Sequence, residues 1–181
     1  MINLTNKSML DPWGYYYEGY CEFIEASLNT LINKQERLHS ASMYALLFNV
    51  RHVIELGLKD ILAQLGEIQN NDLLIFNHDL KQLMNTTHKF LQSYEPLSGS
   101  PWKSSWALID KHANFFIEID VNSFTFRYPL TKNNMPSMEH NFEVNLQAIV
   151  SMFHEIRASF IKITPILMAD ERNFLGSKKN A

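Results

Sequence analysis

The strongest constraint on the fold is an apolar stripe with helical spacing in the last third of the chain. Its members recur every three or four residues: Phe142, Leu146, Ile149, Phe153, Ile156, Phe160, Ile163 and Leu167. This period places them on one face of a helix, and other helices must cover that face. We expect Pro165 to kink or end the helix, and the polar tail from Gly176 to fray.

Similar stripes predict two long helices in the first half of the chain. The first helix opens at Asp11-Pro12 and carries a core stripe of Tyr17, Cys21, Ile24, Leu28 and Leu31. The second helix is expected from about Ser40 to Leu65, with Gly66 as the stop signal. Its core stripe is Met43, Leu46, Leu47, Val50, Ile54, Gly57, Ile61 and Leu65. Gly57 lies inside this stripe, so another helix is expected to approach closely there.

Two shorter helices and one long loop follow. We expect Asn77 to cap the third helix, with Asp79 in its first turn and a buried face of Leu80, Leu83, Met84, Thr87 and Leu91. The fourth helix should start at Pro101, end near Asp120 and bury Trp102, Trp106, Ile109, Ala113 and Phe116. Residues 124–129 alternate apolar and polar side chains, which predicts extended chain within an irregular loop near residues 120–138.

Composition agrees with a single helical domain. The 181 residues include only six glycines and six prolines, where ordinary usage gives about 13 and 9. The 46% hydrophobic content argues against disorder, and Cys21 alone cannot support a disulfide framework. We therefore predict an all-α, up-and-down bundle of about five helices over residues 1–181, with flexible ends at 1–9 and 176–181.

Charge and hydropathy limit the environment and the partners. With 16 basic and 19 acidic residues the net charge is −3, so no global positive field recruits nucleic acid. The N-terminus lacks the apolar core of a signal peptide, and no apolar run reaches the roughly 18 residues of a membrane span. The expectation is a cytoplasmic protein without a membrane partner.

Motifs for common catalytic centres are missing from the sequence. A di-iron bundle needs two Glu-x-x-His motifs, whereas this chain has a single such spacing, Glu36 to His39. His154-Glu155 has Ala158 where a zinc protease carries its second histidine. No phosphate-binding glycine loop or nucleophile elbow is present. We expect no metal and no cofactor.

A set of charged residues beside the core stripes suggests a site. Arg51, Glu55 and Lys59 are spaced by four and share one line on the second helix. Together with His78 and Arg127, the two cations could form a pocket for a phosphate group, which suits both arginine and lysine. The alternative is structural: two ordinary i, i+4 pairs, a capping histidine and an arginine that pins its own loop.

Three segments, taken in order, resemble the HEPN superfamily of small helical bundles. Residues 48–62 place Glu55 and Lys59 where that family carries a Glu and a Lys on its long second helix. Residues 78–83, His78-Asp79-Leu80-Lys81-Gln82-Leu83, are similar to the family's His-Asp-Leu-x-x-Leu helix start. The segment from Ile119-Asp120 through Phe126-Arg127-Tyr128-Pro129 resembles the Arg-Tyr-Pro loop of the subgroup paired with nucleotidyltransferases. Residues 42–160 contain all three segments.

The resemblance implies a dimeric four- or five-helix bundle that binds nucleotide or RNA, with many members in toxin–antitoxin or phage-defence systems. It also implies a nucleotidyltransferase or another defence-system protein as a partner. The ligand-binding residues expected from this resemblance are Arg51, Glu55, Lys59, His78, Asp79, Arg127 and Tyr128.

The chain departs from the ribonuclease members, which carry Arg-x(4–6)-His. Arg127, Arg157 and Arg172 have no histidine at that distance, and Arg51 is followed directly by His52. In addition, Leu130 follows the Arg-Tyr-Pro loop where the subgroup often has Asp.

Three hypotheses follow for the function. The leading one is a non-catalytic HEPN-like domain that binds nucleotide, RNA or a partner protein. The second is a divergent, metal-independent endoribonuclease with His52 or His78 as general base and Arg51 as phosphate ligand. The third is a structural or assembly protein without a ligand.

The first helix has two polar or aromatic flanks beside its core stripe. One flank is acidic, with Glu18, Glu22, Glu25 and Asn29, and the other carries Tyr16, Tyr20 and Phe23. A helix that is apolar over so wide an arc is covered on two sides. We expect neighbouring helices to provide this cover; the alternative is a subunit interface.

Overall fold

The chain folds into an all-α bundle. The computed structural model describes residues 12–33, 40–69, 78–93, 102–120, 125–128, 132–135, 137 and 145–178. These residues form five helices and no strand: α1 Pro12–Asn33, α2 Ser40–Gln69, α3 Leu80–Ser93, α4 Trp102–Ile119 and α5 Leu146–Lys178. The predicted helical class and helix number are confirmed.

Helix α2 lies at the centre of the bundle. It contacts each of the other four helices, and every side chain from residue 53 to residue 62 is buried. The predicted stripe on α2 is buried apart from Met43, which is half-buried, but it is too narrow. The structure adds Val53, Leu56, Leu58 and Leu62 to the core, because neighbouring helices cover the middle of α2 on every side.

The predicted buried faces of the other helices are largely confirmed. All five predicted positions are buried on α3 and on α4. On α1 the stripe is buried apart from half-buried Leu31, and on α5 it is buried from Ile149 to Leu167. Phe142, Asn77 and Pro101 lie outside the described residues. No described helix is both long and apolar enough to cross a membrane.

Helix α5 packs closely against α2 at Gly57, as predicted. A Cβ atom at this position would lie 2.7 Å from two ring carbons of Phe160 on α5. That distance is far below van der Waals contact, and the Phe160 ring is itself buried against Tyr17. Only glycine allows this packing.

Two predicted helix stops are wrong. Helix α2 continues through Gly66 to Gln69, since glutamate and glutamine in this last turn favour helix. Helix α5 does not end at Pro165 but continues to Lys178, past Gly176, where the predicted frayed tail begins. Pro165 and Ile161 lie on the exposed side, where water can satisfy the carbonyl that proline leaves without a donor.

Two local predictions around the site are also corrected. Asp79 lies before α3, and its Oδ1 accepts a hydrogen bond from the backbone N–H of Gln82 at 3.0 Å, so Asp79 is the N-cap. Residues 125–127 form a turn where extended chain was expected. The cause is Asp120, whose Oδ1 accepts a hydrogen bond from the Thr125 N–H at 2.8 Å and draws the chain back towards α4.

The flanks of α1 are covered unequally. On the acidic flank, Arg157 of α5 pairs with Glu18 and Glu25. On the aromatic flank, Tyr20 packs edge-on against His52 of α2, but Tyr16 and Phe23 are 56% and 57% exposed. The expectation that neighbouring helices cover the aromatic flank is therefore wrong at Tyr16 and Phe23, which no other described helix covers.

Candidate functional site

A buried carboxylate collects three hydrogen-bond donors at the centre of the bundle. Glu55 is 0% exposed, and its Oε1 accepts from Lys59 Nζ at 2.8 Å and from His78 Nδ1 at 2.6 Å. Its Oε2 accepts from Arg51 Nη1 at 3.2 Å. The i, i+4 spacing on α2 brings the two cations to the carboxylate, and the start of α3 adds the imidazole.

Asp120, at the end of α4, balances the second cation. Its Oδ2 lies 3.4 Å from Arg51 Nε, while Arg51 Nη2 donates to the His78 carbonyl oxygen at 3.1 Å. We call Arg51, Glu55, Lys59 and Asp120 the charge network. It contains two cations and two anions, and all four side chains are buried, with Arg51 at 1% and Lys59 at 3% exposure. The charges are therefore neutralised inside the fold.

The network keeps Glu55 ionised. Burial alone would raise the pKa of this carboxyl group, but the hydrogen bond and charge of Lys59, followed by the His78 hydrogen bond, outweigh burial and leave the pKa below its ordinary value. An ionised carboxylate can only accept hydrogen bonds, so His78 Nδ1 is the donor in this contact.

His78 connects the buried network to the surface. Its side chain is 62% exposed, although Nδ1 is fixed by a fully buried oxygen. The imidazole therefore has a defined orientation and tautomer while its other edge faces outward. This is the arrangement in which a carboxylate orients a histidine for ligand binding or proton transfer.

A row of stacked side chains leads from the network to Arg127. The Arg127 guanidinium lies 4.7 Å above the Phe48 ring, and Phe48 stacks on His52 with ring centroids 5.9 Å apart and an angle of 11°. His52 Nδ1 is 3.9 Å from Glu55 Oε2. We call Arg127, Phe48 and His52 the stacked row. It reaches the surface at Arg127, which is exposed.

The surroundings of His52 disfavour its charged form. Burial lowers the pKa of His52 most, Glu55 opposes this, and the positive charges of Arg127, Lys59 and Arg51 lower the pKa further. The pKa ends below its ordinary value of 6.5. Arg127 therefore acts electrostatically on a histidine that also borders Glu55.

The structure brings together four of the predicted ligand-binding residues, three of them buried and one exposed. Arg51, Glu55 and Lys59 are buried partners of one another, and His78 joins them from the surface. Asp79 directs its carboxylate to the backbone of α3 as a cap. Arg127 joins the group through the stacked row.

Tyr128, the remaining predicted residue, is exposed beside Arg127. The i, i+4 pairs foreseen by the structural alternative are present, but they are buried and converge on one carboxylate. They therefore differ from ordinary surface pairs.

Sequence reasoning missed two functional neighbours. Asp120 was predicted as a helix end within the third HEPN-like segment and Phe48 as the first residue of segment 48–62, and neither was predicted to contact the site residues. A charge count offers the missing signal for Asp120: two cations beside a core stripe with one glutamate require a second anion if all are buried. Lys59 also lies 5.1 Å above the ring of Trp13 on α1, which covers its ammonium group.

The described residues include no group of three or more His, Cys, Asp or Glu side chains placed to hold a metal ion. Comparison of the chain with protein-family models, curated proteins and solved structures gave no match. The relation to the HEPN superfamily thus remains a prediction from the three sequence segments, and the geometry of the site is the basis for any function.

Proposed function

We propose that this chain is a HEPN-like helical domain that binds a phosphate-bearing ligand, either a nucleotide or RNA, at the surface above the charge network. One observation carries the proposal: a closed, neutral network holds the exposed His78 ring in place, and the stacked row connects the same carboxylate to exposed Arg127. A preorganised arginine and imidazole of this kind bind a phosphate-bearing ligand without a large ordering cost.

In this proposal Arg127 supplies the charge that contacts phosphate, and the outward ring nitrogen of His78, Nε2, accepts a hydrogen bond from a ligand hydroxyl or amino group. Arg51 and Lys59 do not contact the ligand, because both side chains are buried. Lys59 donates to Glu55, and Arg51 is held by Glu55, Asp120 and the His78 carbonyl oxygen. Tyr128, next to Arg127, adds an exposed ring on which a base can stack.

The resemblance adds further parts to the proposal. They are a cytoplasmic homodimer, a role in a toxin–antitoxin or phage-defence system, and a nucleotidyltransferase or another defence-system protein as partner. Sizing chromatography with light scattering tests the dimer directly.

Calorimetric titration with ATP, other nucleotides and short single-stranded RNA tests ligand binding. We expect at least one of these to bind, and Arg127→Ala to weaken binding about tenfold or more through loss of a charge-assisted hydrogen bond. Lys162→Ala, which removes one exposed cation from α5, is the matched control and should leave binding unchanged. Absence of heat with every ligand would reject the proposal.

A second candidate function is metal-independent RNA cleavage. The contact of 2.6 Å between His78 Nδ1 and buried Glu55 favours it, because this pairing orients an exposed imidazole as a general base. Cleavage in the presence of a chelator, lost in His78→Ala and unaffected in Lys162→Ala, would support an endoribonuclease. Loss of cleavage in His52→Ala but not in His78→Ala would instead indicate that His52 is the general base. If RNA binds but stays intact, the binding function stands alone.

A further inference from the structure

A groove runs along the outer surface between α1 and α2. One cavity of about 680 Å³ is lined by the aromatic flank of α1, and a second of about 400 Å³ continues it towards the start of α2. Phe23 and Asn49 line both cavities, so the two are continuous. The α1 lining extends from residue 15 to residue 31, a length of about 24 Å at the rise of an α-helix.

The floor of the groove offers few donors to a ligand. The hydroxyl groups of Ser27 and Thr30 donate to carbonyl oxygens four residues earlier in α1, both at 2.8 Å. The Asn49 side-chain amide donates in the same way to Ala45 within α2, at 2.7 Å. Apart from two glutamates, what remains is largely apolar surface with three exposed aromatic side chains, Tyr15, Tyr16 and Phe23. A contiguous apolar surface of this kind is typical of a binding site for another helix.

The charge of the groove is negative. Glu18 and Glu22 line it, and no lysine, arginine or histidine is among its described lining residues. Glu18 is within 3.7 Å of Arg157, whereas Glu22 has no ion pair in the described part of the chain. The exposed rings of Tyr15 and Tyr16 meet edge to face beside these carboxylates. Aromatic faces next to a carboxylate attract ammonium and guanidinium groups.

We infer that this groove binds an amphipathic helix of a partner protein, with Lys or Arg beside its apolar face. The apolar side chains of the partner pack along Phe23 and the groove floor, and its cations face Glu22. A second copy of this chain would not bind the groove with the same α1–α2 face, because residues 12–33 and 40–50 contain no basic residue to pair with Glu22. The groove adjoins the stacked row, because its lining residue Tyr20 packs against His52, but the inference does not depend on the proposed ligand binding.

A pair of synthetic peptides tests the inference. Both are amphipathic helices of 16 residues with leucine at positions i, i+3, i+4 and i+7; one carries lysine on the flanks and the other glutamate. Fluorescence anisotropy with the full chain should show the basic peptide binding at least tenfold more tightly. Glu22→Lys should reverse this preference, and Phe23→Ser should weaken both peptides.

Ile161→Ser, at an exposed apolar position of α5 outside the groove, is the matched control and should change nothing. Circular dichroism confirms that each variant folds. Equal affinity for the two peptides, no binding of the basic peptide, or an unchanged preference in Glu22→Lys would overturn the inference. So would a dimer in sizing chromatography that Phe23→Ser converts to a monomer, because a second copy would then occupy the groove.

Discussion

Replacing Glu55 with Gln should lower the free energy of unfolding by about 3–5 kcal/mol, the usual cost of breaking a buried ion pair by removing one partner. The carboxylate accepts from three donors at 2.6–3.2 Å and is fully buried. A Gln amide offers one acceptor oxygen, and its NH₂ group would face a cation. Because a domain of this size has about 5–15 kcal/mol of stability, the variant should be close to unfolding.

Urea denaturation followed by circular dichroism measures this loss. Glu155→Gln is the matched control, since Glu155 Oε2 also accepts from two donors, His112 at 2.8 Å and Lys111 at 3.4 Å, but lies at the surface. Its loss should stay below about 1 kcal/mol. If Glu55→Gln costs no more than the control, the charge network does not hold the bundle together and the reasoning is wrong.

The free energy of unfolding should also depend on pH through Glu55. The folded pKa of Glu55 is below its ordinary value of 4.5, so its contribution is complete above that value and is lost as the pH falls through the folded pKa. Acidification below pH 4.5 should therefore narrow the difference in stability between the wild type and Glu55→Gln. A constant difference would contradict the assignment.

Three further predictions concern packing, electrostatics and capping. Gly57→Ala should destabilise the chain by about 1–3 kcal/mol through overpacking against Phe160, despite the better helix propensity of alanine. Phe160→Leu in the same chain should recover part of that cost; a double-mutant cycle without coupling would refute the contact. Arg127→Gln should raise the pKa of His52 in an NMR titration, because a positive charge is removed; an unchanged pKa would show that the stacked row does not form. Asp79→Ala should lower stability by about 1 kcal/mol through loss of the α3 cap, and no change in urea denaturation would refute that role.

The helices could be predicted because their signals are local. Apolar residues at helical spacing predict which faces of α3, α4 and α5 are buried. Gly57 within a core stripe indicates a close helix contact. Helix ends were less predictable. A single glycine or proline weakens a helix by an amount that packing elsewhere can offset, as Gly66 and Pro165 show.

The charge network could be predicted only in part. The spacing of Arg51, Glu55 and Lys59 indicates that they lie on one face of a helix. The sequence does not show whether that face is exposed or buried. Burial follows from the central position of α2, which depends on the packing of all five helices. The ion pair between Arg51 and Asp120 joins residues from α2 and the end of α4, and no local pattern connects positions so far apart in sequence.

The most direct test of ligand binding at the surface above the charge network is an NMR titration of the histidine side chains with the short RNA or nucleotide. Of the five described histidines, His88, His112 and His154 act as internal controls, because they lie elsewhere in the bundle. We predict that the imidazole signals of His52 and His78 shift together and saturate with the same dissociation constant, while the other three stay unchanged. Signals of His52 and His78 that do not move, or shifts confined to the other histidines, would contradict the proposal.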